Sequence, residues 1–372
     1  MEQIKIPVIF GYTLPFRIIS RDSDTWSPSL DDVNNYSYDY VRLNRLSTGV
    51  DIGIKPHSLI IGFDGSLMLP SIDKYNDKFV VVEEFNKVLA ALLFGGIYSE
   101  AVMPENVSNG FLYTNGYSRS IGKAEGRVAA FYNAIKTQYA SILDNMCLIE
   151  PEIINAYDYR LAIEKGRRIL SAIPNMSYGL LLNGVTQYIK HQWVEALVLL
   201  WTTIEQILNH IWEHQVIHKI SQKDINYTNR KRALNDYRTW TSATKIELIY
   251  QKGLIDEDIF RHFTVSRSSR NRFLHNGQSP KKSEVESSIS LVMQLISLVY
   301  TQFKNKEELA GIEKIIEIYL HSDLMPDREQ VLSGEPKYWS EIPPLPGEPG
   351  WGDYAYEINE DIQLKQINDL NK

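Results

Sequence analysis

Arg270, Asn271 and His275 are residue types suited to acid–base chemistry at an anion. They lie in the run Ser-Arg-Ser-Ser-Arg-Asn-Arg-Phe-Leu-His-Asn-Gly, residues 266–277. The guanidinium is permanently charged, and its forked donors match the oxygens of an anion. The imidazole titrates near neutrality and can accept or deliver a proton. The amide can bond an oxygen or orient the ring. As a bare pattern the spacing is weak, since residue frequencies alone produce it in ~5% of chains of this length. Its surroundings strengthen it. Residues 259–283 contain no acid, yet hold Arg261, Arg267, Arg270, Arg272, Lys281 and Lys282.

Other residues with chemical potential carry less weight. His210, His214 and His218 recur at steps of four, and with Glu213 they spell H-x-x-E-H, a spacing that suits zinc. The same positions continue the row Leu199, Leu200, Thr203 and Ile207, so the edge of a core explains them better, and no metal is expected. GYSRSIGKA at 116–124 has five residues between its glycines where a phosphate-binding loop has four, and it ends in Ala124 where a metal-binding hydroxyl belongs. Cys147 sits in the apolar segment NMCLI and reads as packed. Glu205 is placed either to hold an arginine of the motif segment or to face solvent.

The elements that must position these residues divide the chain into four. Residues 1–120 form a mixed α+β domain. IKIPVIFGY, YVRLNRL, VDIGI and SLIIGF read as strands, Asp64-Gly65 as a hairpin turn, and Val81, Phe85, Val88, Leu89 and Leu92 as one helix stopped by Gly95-Gly96. Residues 121–184 are connecting helices, AEGRVAAFYNAIKTQYASIL and PEIINAYDYRLAIEKGRRILSAI, the second with Pro151 in its first turn. Residues 185–305 are all-helical. A helix from Gln187 to His218 carries the stripe Trp193, Leu197, Leu200, Ile204, Leu208 and Ile211. SATKIELIYQKG is a shorter helix, and Asp256 caps DEDIFRHFTVSRSSRNRFLH, which stops at Asn276-Gly277. A last helix carries Val285, Ile289, Val292, Ile296, Val299 and Phe303. Residues 306–372 form an acidic tail, which turns Pro/Gly-rich after one more amphipathic stretch at Leu309, Ile312 and Ile316.

Composition excludes several classes. With 44% hydrophobic and 23% charged residues in 372, the chain builds real cores and is not disordered throughout. The single cysteine makes no internal disulfide, which fits a reducing, cytoplasmic setting. The longest apolar run, Val88 to Tyr98, is too short for the ~20 residues of a membrane span. Net charge is −7, but the tail alone carries 15 acidic and 6 basic residues. The body is therefore slightly positive, and a polyanion meeting the motif segment meets positive charge.

The order WVEALVLLWTTIEQIL, KIELIYQKGLI, RNRFLHNG and a closing apolar helix resembles the HEPN superfamily, most closely its Apea-like group, over about residues 185–305. The resemblance implies an α-helical ribonuclease module with R-N-x-x-x-H as its catalytic motif, which puts Arg270, Asn271 and His275 in the site. It implies RNA cleavage by the substrate's own 2′-hydroxyl without metal or cofactor, with His275 as general acid or base and Arg270 on the phosphate. Five residues on an ideal helix lie ~140° apart. Arg270 and His275 therefore share a site only if the helix ends or distorts near Leu274, or if two copies share one cleft. The resemblance implies the second, a homodimer, with Arg267, Arg272 and Lys281 as phosphate contacts. It also implies a prokaryotic phage-defence or toxin effector whose residues 1–120 sense a phage or regulatory partner. The alternative is a non-catalytic scaffold of the same fold that binds a nucleotide, RNA or protein.

Overall fold

A computed structural model of the chain describes residues 4–21, 24–121, 126–137, 147–303, 312–320 and 349. The chain is α+β, with a six-stranded antiparallel sheet near its start and helices after it. The strands are β1 (Lys5–Gly11), β2 (Arg17–Ser20), β3 (Leu46–Ile54), β4 (His57–Gly62), β5 (Leu67–Pro70), β6 (Val107–Tyr113), β7 (Ser118–Ser120) and β8 (Glu152–Asn155). The sheet order is β3-β4-β5-β1-β6-β7, while β2 and β8 pair in parallel as a separate ribbon. The sheet curls until its two ends meet. Leu46 N–H donates to the Gly116 carbonyl and Ser118 N–H to the Asn44 carbonyl, both at 2.9 Å. Strand alternation fills both faces. Val8, Phe10, Tyr12 and Met68 belong to one core, with Leu43 and Tyr132, while Ile9, Leu67 and Leu69 belong to a larger one that continues into the helices.

The helices are α1 (Leu30–Asn34), α2 (Tyr40–Leu43), α3 (Lys78–Phe94), α4 (Arg127–Lys136), α5 (Ala156–Leu170), α6 (Tyr178–Ile189), α7 (Trp193–Trp212), α8 (Tyr227–Leu234), α9 (Ser242–Gln251), α10 (Glu257–Asn276), α11 (Lys282–Phe303) and α12 (Ile312–Tyr319). α3 crosses α5 at very short range. A Cβ on Gly166 would stand 1.7 Å from the Ala91 carbonyl oxygen, and one on Gly95 would stand 2.0 Å from that of Ala162. Only glycine allows this approach, so small residues four apart on both helices fix the crossing. Asn86 is buried beside it and bonds the Val102 backbone in both directions, at 2.7 and 3.1 Å. The larger core draws residues from Ile9 to Ile316, on both sides of positions 120 and 184. The described residues up to Leu320 belong to one compact unit.

Three local expectations are corrected. YVRLNRL is not a strand at its start: the Asp39 side chain accepts from Arg42 N–H and closes the single turn α2, and extended backbone begins at Leu46. PEIINAYDYR does not begin as a helix. Glu152–Asn155 lies extended against β2, and Asn155 caps the helix that follows by accepting from Tyr157 N–H at 2.8 Å. The helix expected from Gln187 to His218 is interrupted, because His191 adopts φ +59° with its ring 4.8 Å from that of Trp193. It resumes as α7 and ends in a π turn over Glu213–Ile217. Residues 138–143 of AEGRVAAFYNAIKTQYASIL lie outside the described residues, as do Gly122–Ala124 of the rejected loop, Leu309, and the tail apart from 312–320 and 349.

Candidate functional site

α10 places the motif. It starts where the Asp256 side chain accepts from Ile259 N–H at 2.9 Å. It ends where Gly277, at φ +66°, donates its N–H to the Phe273 carbonyl at 2.8 Å. The buried face is Ile259, Phe263, Ser266 and Ser269. The two serines let α11 approach closely and satisfy one another's neighbours. Ser288 Oγ donates to Ser266 Oγ at 2.8 Å, and Ser269 Oγ donates to Glu284 Oε2 at 2.9 Å. The expected seam on α11 is buried at Val285, Ile289, Val292, Ile296 and Val299, and so is the α7 stripe from Leu197 to Ile211.

The motif side chains lie on the other side of α10. Arg270 is half-buried and donates through Nη1 to Asn271 Oδ1 at 3.0 Å. His275 is exposed in the last turn. The helix neither ends nor distorts at Leu274, so Arg270 and His275 of one copy point about 140° apart. Arg270 and Asn271 are brought together, and His275 is not joined to them within one chain. Among the described residues Arg267, Arg270 and Lys281 have no carboxylate at ion-pair distance, whereas Arg261 is paired with Asp258.

Arg272 differs from its neighbours. Its Nη2 is ion-paired with Glu284, and its buried Nε has no partner. Glu284 also accepts from Lys281 N–H at 2.9 Å, which closes the first turn of α11. Burial works against the charge of this carboxylate. The Lys281 N–H, the Arg272 guanidinium and the Ser269 hydroxyl outweigh burial and hold Glu284 below the usual carboxylate range. Glu284 lies one residue past the acid-free stretch, which ends at Ser283. Its signal was the acid three residues after Lys281, ahead of an apolar run.

The residues set aside have their own settings. Glu205 holds no arginine of α10; it accepts from Ser242 Oγ at 2.7 Å. His210 is buried with its ring 4.2 Å from that of His214, and His218 follows at 4.8 Å. Burial first, and then the neighbouring His214, push the His210 imidazole below its ordinary range. Among the described residues no group of three or more His, Cys, Asp or Glu side chains is placed to hold a metal ion. No described helix is long and apolar enough to cross a membrane. The basic connection after α7 carries α8, which buries none of its residues and is pinned by two indoles. Trp212 Nε1 donates to the Leu234 carbonyl at 3.1 Å, and Trp240 Nε1 to that of Ala233 at 2.8 Å.

The chain matches no protein-family model, no curated protein and no solved structure.

Proposed function

We propose that the chain is a metal-independent endoribonuclease of the HEPN type, acting as a homodimer in prokaryotic defence or as a toxin effector. The observation that carries this reading is the half-buried pair Arg270–Asn271, with no carboxylate at ion-pair distance from Arg270 among the described residues, five positions before an exposed histidine. A guanidinium already held by an adjacent amide keeps its remaining donors for phosphate oxygens. His275 removes the proton from the 2′-hydroxyl, which attacks the adjacent phosphorus. The P–O5′ bond breaks, and the proton goes to the departing oxygen from a second acid. The straight helix supports a shared cleft, because two copies of α10 can set Arg270 of one opposite His275 of the other. Two such motifs also supply an acid and a base from two imidazoles. Arg267 and Lys281, with no carboxylate at ion-pair distance among the described residues, would guide the strand, whereas Arg272 must first leave Glu284.

Purified chain incubated with mixed RNA in EDTA tests the proposal. Cleavage that survives the chelator and falls about 10²–10⁴-fold in both His275→Ala and Arg270→Ala supports it. RNA binding without cleavage in the parent chain would favour the non-catalytic scaffold.

A further inference from the structure

At the seam where the curled sheet closes, a groove of 700 Å³ opens between α2, the β6–β7 hairpin and the end of α4. Three half-buried tyrosines, Tyr40, Tyr113 and Tyr117, line it. Among the described residues none of the three hydroxyls makes an intramolecular hydrogen bond. The charges are unequal in their surroundings. Lys136 is ion-paired at 2.5 Å with Asp64, whose side chain is 1% exposed and also accepts from Ser66, so this floor is neutral. Arg119 stands exposed at the edge with no hydrogen bond or ion pair among the described residues. Among the described residues no acid lines the groove.

We propose that this groove binds a nucleoside phosphate, with Arg119 on the phosphate and tyrosine rings against the base. The volume lies in the range of small-ligand sites. Flat aromatic faces beside one uncompensated guanidinium match a ligand that joins a flat ring to an anion. The amide of Asn133 and the tyrosine hydroxyls supply directional bonds to base and ribose. A neutral sugar is the poorer fit, because its hydroxyls are donors that want carboxylate acceptors, and the described lining has none. The site is distinct from Arg270 and does not depend on how the motif helix is read.

Calorimetric titration of the full chain with ATP, GTP and AMP tests this, with adenosine and pyrophosphate as separate arms. The expected result is saturable binding of the nucleotides, weaker binding of adenosine and of pyrophosphate alone, and a loss of roughly tenfold to a hundredfold in Arg119→Ala. Tyr113→Ala should weaken adenosine and nucleotides together, with little change for pyrophosphate. Both positions are accessible and circular dichroism checks that the variants fold; Tyr113→Phe is the milder second variant, which keeps the ring and most of the affinity. The proposal is overturned by absence of nucleotide binding at millimolar concentration. It is equally overturned by binding that survives both Arg119→Ala and Tyr113→Ala but is lost in Arg270→Ala, or by short RNA that binds the groove while nucleotides fail to compete.

Discussion

Arg17 and Arg270 carry the same guanidinium into opposite surroundings. Arg17 is 3% exposed at the junction between the strands and the helices. Its Nε donates to Glu152 at 2.6 Å, Nη1 to Ser99 Oγ at 2.8 Å and Nη2 to the Tyr319 hydroxyl at 2.8 Å. It thereby ties β2, β8 and α12 into one knot. Arg270 sits half-buried with one bond to the next residue's amide. A guanidinium whose three nitrogens are all bonded within its own chain is a joint. One whose donors remain largely unassigned, on a helix side without acids, is available to an anion. Burial and partner count separate the structural cation from the one left available to an anion, and residue type does not.

Substitution at the two arginines should separate these roles most widely. Arg17→Ala leaves Ser99 and Tyr319 without their donor and opens a void in the junction, a cost of about 3 kcal/mol in folding stability. Glu152 limits the cost because it remains partly solvated. Arg270→Ala should change the folding stability read from urea unfolding by no more than about 0.5 kcal/mol while RNA cleavage falls about 10²–10⁴-fold. Equal destabilisation by the two substitutions would erase the distinction. A smaller effect is expected at the α3–α5 crossing. Gly166→Ala drives a methyl against the Ala91 carbonyl oxygen and should cost about 2 kcal/mol, with cleavage per folded molecule unchanged. An unaltered midpoint would mean that the two helices separate easily.

The same contrast marks what could be read from the chain before its structure. α10 was legible at both ends because its signals are local: Asp256 caps it and Gly277 takes the left-handed turn that stops it. The motif residues were legible because they share twelve consecutive positions. Arg17 gave no signal, since its partners come from residues 99, 152 and 319 and only folding joins them. Glu152–Asn155 looked helical for the same reason: its strand partner is Arg17–Ser20, far back in the chain and in parallel register. Closure of the sheet by Asn44, Leu46, Gly116 and Ser118 is likewise a long-range event. The groove beside that seam was therefore invisible, although its tyrosines and Arg119 were in plain view. Short-range chemistry survives translation into sequence patterns, and cross-chain pairing does not.

Glu284 gives the smallest effect and the finest test, because it sits between the two kinds of cation. It makes Arg272 a structural residue beside Arg267 and Arg270, which have no ion pair among the described residues. Its carboxyl is held lower in the folded chain than in the unfolded one. The stabilisation it provides is therefore complete above the ordinary glutamate range and is lost as pH falls through the folded value. Glu284→Gln should cost about 1 kcal/mol at neutral pH and flatten the decline of the unfolding midpoint on the acid side. The parent and variant curves should converge once the parent carboxylate is protonated. The same substitution frees Arg272 on the motif side, so RNA should bind more tightly and with a steeper dependence on salt. Loss of stability without that gain in binding would leave Arg272 a joint like Arg17, whatever its place in the motif.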